Sequence, residues 1–325
     1  MPRPMRRLPV VTPQQYSRVA FWALLLLMGI VMTGAGVRLT GSGLGCPDWP
    51  KCYGGIAPPL QTHAVIEYGN RVLSGLVGVT AATAGLLAWR RRPFRRDLAA
   101  IGVLLPLGVV GQAVLGGFTV KHHLAPGFVM AHYILSMLLL TAAVTLLWRS
   151  RHERGSRPRS ADRLLVWSVR ALLPLGALAI FAGTAATASG PHAGGAGTGD
   201  VIDRLEWKGD DTLSWVVSQH SRIAGLLGLA AVAVWFLVRR RGTPRALRSM
   251  TLLCCLLGAQ GALGFIQYQL ELPTEIVWIH VSLGGFIWVS ILFAVAAAGR
   301  LQPRRQPAAD PSESRRAPRP VAHVG

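Results

Sequence analysis

Carboxylates are scarce in this chain. Of 325 residues, 14 are Asp or Glu against 34 Lys or Arg, and charged residues of both signs make up 15%. So little charge is a poor covering for a water-soluble protein with eight buried helices. No phosphate-cradling glycine loop, Ser-His-Asp set or zinc-ligand spacing occurs, so nucleotide, triad and zinc-site chemistry have no residues to rest on. Cysteine is limited to four residues, two of them adjacent.

What the chain does have is apolar length. Hydrophobic residues make up 51% and the mean hydropathy is +0.40. Eight apolar runs stand at 19–37, 64–89, 98–117, 126–148, 171–189, 215–238, 249–269 and 275–298. Each is long enough to cross ~30 Å of hydrocarbon at ~1.5 Å per residue. The expected fold is an all-α polytopic membrane protein of eight transmembrane helices. The net charge of +20 and pI near 11.5 invite a nucleic-acid reading. The distribution argues against it, because the basic residues sit between the apolar runs.

That distribution sets orientation. Segments 1–18, 90–96, 149–170, 239–248 and 299–325 hold 27 of the 34 basic residues. Both termini are therefore expected in the cytoplasm of a cell-membrane protein, with loops 38–63, 118–125, 190–214 and 270–274 outside. The first run follows Arg3, Arg6, Arg7 and Arg18 like a signal peptide, but no A-x-A site follows it before a soluble domain. It is expected to be a retained helix. The segment 299–325, rich in Pro, Arg and Ser, is expected to be disordered.

The chain reads as two copies of one unit. Asn70-x-x-x-x-Gly75-Leu-Val-Gly78 matches His220-x-x-x-x-Gly225-Leu-Leu-Gly228 at a shift of 150. Gln112-x-x-Leu115-Gly116 matches Gln260-x-x-Leu263-Gly264 at 148, as His132 matches His280. Each copy has four helices, so both cross the membrane in the same sense and their pseudo-two-fold axis runs along the membrane normal. The expected organisation is a cytoplasmic segment 1–18, a four-helix bundle 19–148, a cytoplasmic linker 149–170, a second four-helix bundle 171–298 and the tail 299–325.

The polar residues inside the runs are the functional candidates, because ionisable groups in a membrane span are costly. His63, Glu67, Asn70 and Ser74 are spaced by four, three and four, so they share one helix face. His220 and His280 lie at matched depth near the outer ends of their runs. Two such imidazoles suit the axial positions of a heme in a bundle core, and structural packing is the plainer reading. In the first copy His132 faces an amide, Asn70, which suggests one resident heme and one pocket where a heme reacts or is exchanged. Glu67 suits proton transfer or charge stabilisation, with a structural ion pair to Arg71 as the alternative. Arg38, Arg71 and Arg222 stand near outer helix ends, where they would meet heme propionates or simply snorkel to the interface. Cys46 and Cys52 lie in an outward loop, where a disulfide fits; two free thiols or a redox-active pair are the alternatives.

Taken together, Arg38-Leu-Thr-Gly-Ser-Gly-Leu-Gly-Cys46-Pro-Asp-Trp-Pro-Lys-Cys52, the Glu67-x-x-Asn70-Arg71 helix, His132, His220 and His280 resemble the heme A synthase family. The resemblance covers all eight runs. It implies oxidation of the C8 methyl of heme O to a formyl group by successive hydroxylations, for cytochrome c oxidase assembly. It also implies a heme b on His220 and His280, the substrate heme in the first pocket, and a catalytic role for Glu67. Expected partners are heme O, the heme O synthase that makes it, an unidentified redox partner, the bilayer and a second copy of the chain; nucleic acid is not among them. The sequence departs from the family pattern Glu-x-x-His-Arg at Asn70, and loop 190–214 lacks the second cysteine pair of some members. A membrane cytochrome b electron carrier and a heme or small-molecule transporter are the competing readings; the first needs four ligand histidines where three stand at matched depth.

Overall fold

The structure is a computed structural model that describes residues 10–302, apart from residues 154 and 196. It contains eight long helices: α1 (Pro13–Leu39), α2 (Thr62–Arg90), α3 (Arg96–Lys121), α4 (Pro126–Arg151), α5 (Arg163–Ser189), α6 (Thr212–Arg241), α7 (Pro244–Gln269) and α8 (Thr274–Ala298). All eight are long and apolar enough to cross a membrane, and the chain is a multi-pass membrane protein. Nearly all of the tail expected to be disordered lies outside the described residues.

Every apolar run lies within a helix, but the helices extend past the runs. The fifth begins at Arg163, where hydropathy alone starts it at 171. Asp162 caps it, accepting the Leu165 N–H at 2.9 Å. A cap of this kind satisfies an orphan amide and fixes the helix start wherever the apolar stretch begins. Thr12 likewise caps α1 in a reciprocal capping box with Gln15, and Thr243 caps α7 just before Pro244.

Helices α1, α2, α3 and α4 pack each on the next, and α4 returns to α1; α5, α6, α7 and α8 do the same. The two rings meet where α8 packs on α1 and α4, and α5 packs on α4. Indole N–H groups in this apolar contact need acceptors, and they cross between rings to find them. Trp278 donates to the Met32 carbonyl at 2.8 Å. Trp288 donates to the Met137 carbonyl at 3.1 Å and to Thr141 Oγ1 at 3.0 Å.

At the arginine-rich end, basic residues counted above as orientation signals have structural partners. Arg91 is fully buried and Arg95 nearly so. Arg91 and Arg95 both reach Glu153, and Arg95 and Arg157 hold Asp97. Two-residue parallel strands, Arg159–Ser160 and Arg300–Leu301, join the start of the second ring to its end.

Helices in lipid gain little from burying apolar surface against one another, so close backbone approach matters. A Cβ on Gly85 of α2 would lie 2.9 Å from the Gly102 carbonyl oxygen of α3, whereas Gly29 of α1 has nothing within 4 Å. Gly85→Leu should therefore lower stability in detergent by about 1–3 kcal/mol, and Gly29→Ala should not lower it. Equal thermal midpoints for the two variants would contradict this packing.

Candidate active site

The helix rings bring the repeated polar residues to matched levels. Asn70 follows the start of α2 (Thr62) by eight residues, as His220 follows that of α6 (Thr212). His132 follows the start of α4 (Pro126) by six, as His280 follows that of α8 (Thr274). In the second ring the His220 and His280 imidazoles face each other across the bundle, with centroids 6.2 Å apart. Two imidazoles sharing a metal at the usual ~2 Å bond length have centroids roughly 6 Å apart. The Nδ1 of His220 lies 3.0 Å from the Ala179 carbonyl. A bond there fixes the tautomer with Nε2 free, the arrangement typical of a metal-bound imidazole. The Nδ1 atoms of His132 and His280 are buried without protein partners. Among the described residues no group of three or more His, Cys, Asp or Glu converges to hold a bare ion. The donor set therefore suits a macrocycle that brings its own equatorial ligands.

The frame around these histidines is duplicated, and the sequence motif Gln-x-x-Leu-Gly is the reason. Gln112 donates to the His132 carbonyl and Gln260 to the His280 carbonyl, both at 3.0 Å. Four residues on, Gly116 and Gly264 let the imidazole edges lie against the helix backbone: added Cβ atoms would fall 3.5 and 3.1 Å from the Cε1 of His132 and His280. Gly183 does the same for His220 at 3.1 Å, and a Cβ on Gly34 would fall 4.0 Å from the amide nitrogen of Asn70. Sequence spacing revealed the glutamines as repeat markers but not their hold on the histidine backbone.

The loop between α1 and α2 folds onto Glu67. Cys46 and Cys52 form a disulfide with Cα atoms 4.8 Å apart. One carboxylate oxygen of Glu67 accepts the Cys46 N–H at 2.7 Å, and the other pairs with Arg71. The Arg71 guanidinium also donates to the carbonyls of Cys46, Asp48 and Lys51 at 3.3, 2.9 and 2.7 Å. It lies over the Trp49 ring, 4.9 Å from the centroid. The Gly54 N–H, and after it the Tyr53 N–H, donate to the Asp48 carboxylate, which holds its pKa below the usual range. The ion pair weighed as the alternative for Glu67 is therefore present, and the residue is only 6% exposed.

Other expected residues stand apart from the histidines. His63 is 2.8 Å from the buried Ser42 hydroxyl, and the loop at Gly197 presses on its ring so closely that a Cβ would fall 2.1 Å from Cε1. Arg38 bridges the rings, donating to the carbonyls of His192 and Thr187 at 3.0 Å each. Arg222 is exposed and lines a cavity of about 500 Å³ with Lys208, Ser214, Trp215 and Ser218. Two residues are ~200° of helical turn, so Arg222 points away from His220; that spacing was visible in the sequence. Thr33, which donates to Asn70 Oδ1 at 2.8 Å, carried no sequence signal, because its partner is 37 residues away.

Eight spanning helices, repeated histidines at one level and a disulfide-closed loop clamped on a buried carboxylate define a multi-pass membrane protein with a duplicated histidine frame. The family model described as cytochrome oxidase assembly protein (COX15-CtaA) matches residues 17–196, and the chain belongs to that family. A heme A synthase of Alkalihalophilus pseudofirmus is 29% identical over 136 residues, 40% of this chain and 46% of the relative. A heme A synthase of Shewanella oneidensis is 31% identical over 143 residues, 38% and 42% of the two chains. A protein of Thermus thermophilus named protoheme IX farnesyltransferase is 31% identical over 301 residues, 87% of this chain and 49% of that one. The chain thus spans about half the length of the curated relatives it matches. His220 and His280 lie beyond the family-model match.

Arg71 is the residue whose loss the loop should feel most. Arg71→Met leaves Glu67 buried without its cation and three carbonyls without a donor, a loss on the order of 3 kcal/mol. Arg71→Lys should not restore it, since one ammonium cannot span the four acceptors. Wild-type thermal stability and protease resistance of residues 46–56 in Arg71→Met would contradict the clamp.

Proposed function

We propose that this chain is a heme A synthase, a membrane oxidoreductase that converts heme O to heme A by successive oxidation of the C8 methyl to a formyl group. Membership of a cytochrome oxidase assembly family supports this, as do relatives that carry the name heme A synthase. The observation that carries the reading is the asymmetry between the two rings. His220 and His280 face each other at the spacing of two axial ligands, whereas His132 has an amide, Asn70, at the repeat position of His220. A filled coordination sphere suits electron transfer, and an open one suits a heme that reacts. A diheme electron carrier needs a fourth ligand where Asn70 stands.

Heme b held between His220 and His280 would supply one-electron chemistry. The substrate heme belongs in the first ring, with His132 as its protein ligand. Glu67, one turn from Asn70 on the same face of α2, is the carboxylate placed to take a proton from the substrate or to offset positive charge on it. The disulfide loop, drawn onto Glu67 by Arg71, covers that end of the ring and keeps water from the carboxylate. In this reading the loop lies on the outer side of the cell membrane and the arginine-rich end is cytoplasmic, with both termini. The Thermus relative supports a heme-farnesylating enzyme as the neighbour that supplies the substrate, since it matches this chain over about half its own length. A separate redox partner exchanges electrons with the chain.

The test is expression in a host that makes heme O but no heme A, followed by extraction and separation of hemes. Heme A should accumulate with the wild-type chain, and heme O alone would overturn the proposal. In the same host Glu67→Gln keeps the shape of the side chain and removes its charge. It should keep the heme on His220 and His280 while heme A formation falls roughly 100-fold or more. A normal heme A yield from this variant would leave Glu67 as the partner of Arg71 and nothing more.

A further inference from the structure

The first ring differs from the second at two linked positions. Asn70 stands where the second copy has His220, and Thr33 stands where it has Ala182, at a shift of 149. In the structure these two residues touch: Thr33 Oγ1 donates to Asn70 Oδ1 at 2.8 Å. The hydroxyl therefore occurs in the copy that has the amide and not in the copy that has the imidazole.

In the structure the contact turns Oδ1, the only amide atom with lone pairs to offer a metal, toward Thr33. The opposite end, Nδ2, lies against Gly34, 4.0 Å from its Cβ position. This is the repeat position of Gly183, against which the His220 ring lies in the second copy. An NH₂ group with no hydrogen-bond partner among the described residues thus stands at the repeat position of His220. It has hydrogens to give and no lone pair to coordinate with.

We infer that Asn70, held by Thr33, is a hydrogen-bond donor aimed at the open coordination position of the heme that His132 holds. It serves a small ligand with acceptor lone pairs, of the dioxygen class, that enters on that side. Donors beside the open position are among the features that decide whether such a ligand is merely bound or activated. Thr33 is the positioning residue. The inference rests on the heme reading of the first ring.

Carbon monoxide is the probe. In the full-length ferrous protein loaded with both hemes, it should bind only the heme on His132, because His220 and His280 fill the other iron. Asn70→Leu should raise the bound C–O stretching frequency and speed carbon monoxide dissociation roughly three- to tenfold, the loss of one hydrogen bond. Thr33→Val frees the amide to turn and should broaden or split the same band without loss of heme. Asn70→His should abolish carbon monoxide binding by filling the sixth position. An identical stretch in wild type, Asn70→Leu and Thr33→Val would overturn the inference while leaving the heme reading intact. A wild-type protein that binds no carbon monoxide would overturn both.

Discussion

A carboxylate in an apolar span is unstable alone, and the outer architecture of the first ring follows from how Glu67 is accompanied. Desolvating the charge costs several kcal/mol, which one well-placed cation and further hydrogen bonds offset. Arg71 provides the cation from the next turn of the same helix. Its remaining donors need acceptors in turn, and three carbonyls of the 46–52 loop supply them. The disulfide closes that loop, and the Cys46 N–H returns to Glu67. Opening the loop therefore leaves several buried polar groups unpaired at once. The loop is thus held shut over that end of the ring by electrostatics as well as by its disulfide.

The two rings share a frame and differ in what the frame presents. In both, a glutamine of the third helix holds the backbone of a histidine on the fourth, and a glycine one turn on receives the ring edge. On the facing helix the copies diverge, to His220 in one and to Asn70 with its threonine in the other. One scaffold thus presents two facing imidazoles in one ring and an imidazole with an amide at the matching position in the other. The contact of α8 with α1 and α4, with indole bonds crossing it, keeps the rings together.

Much of this was legible in the residues, because membrane spans announce themselves by length and repeats by spacing. All eight helices, the histidines at matched levels, the pairing of Cys46 with Cys52 and the Glu67–Arg71 alternative came from local pattern. Helix starts did not, since caps such as Asp162 lie outside the apolar stretch. The buried roles of Arg91 and Arg95 were hidden because arginine near a span end ordinarily marks topology. The attachments of Thr33 to Asn70, Ser42 to His63 and Arg38 to the second ring join residues far apart in sequence, so only packing could show them.

The central claim is that one ring holds its heme iron with two imidazoles and the other with one. Electron paramagnetic resonance of the ferric protein loaded with heme b and heme O tests it most directly. One low-spin species that disappears in both His220→Ala and His280→Ala, beside one high-spin species that disappears in His132→Ala, is the predicted result. Two low-spin species, or a high-spin signal unaffected by loss of His132, would contradict the account.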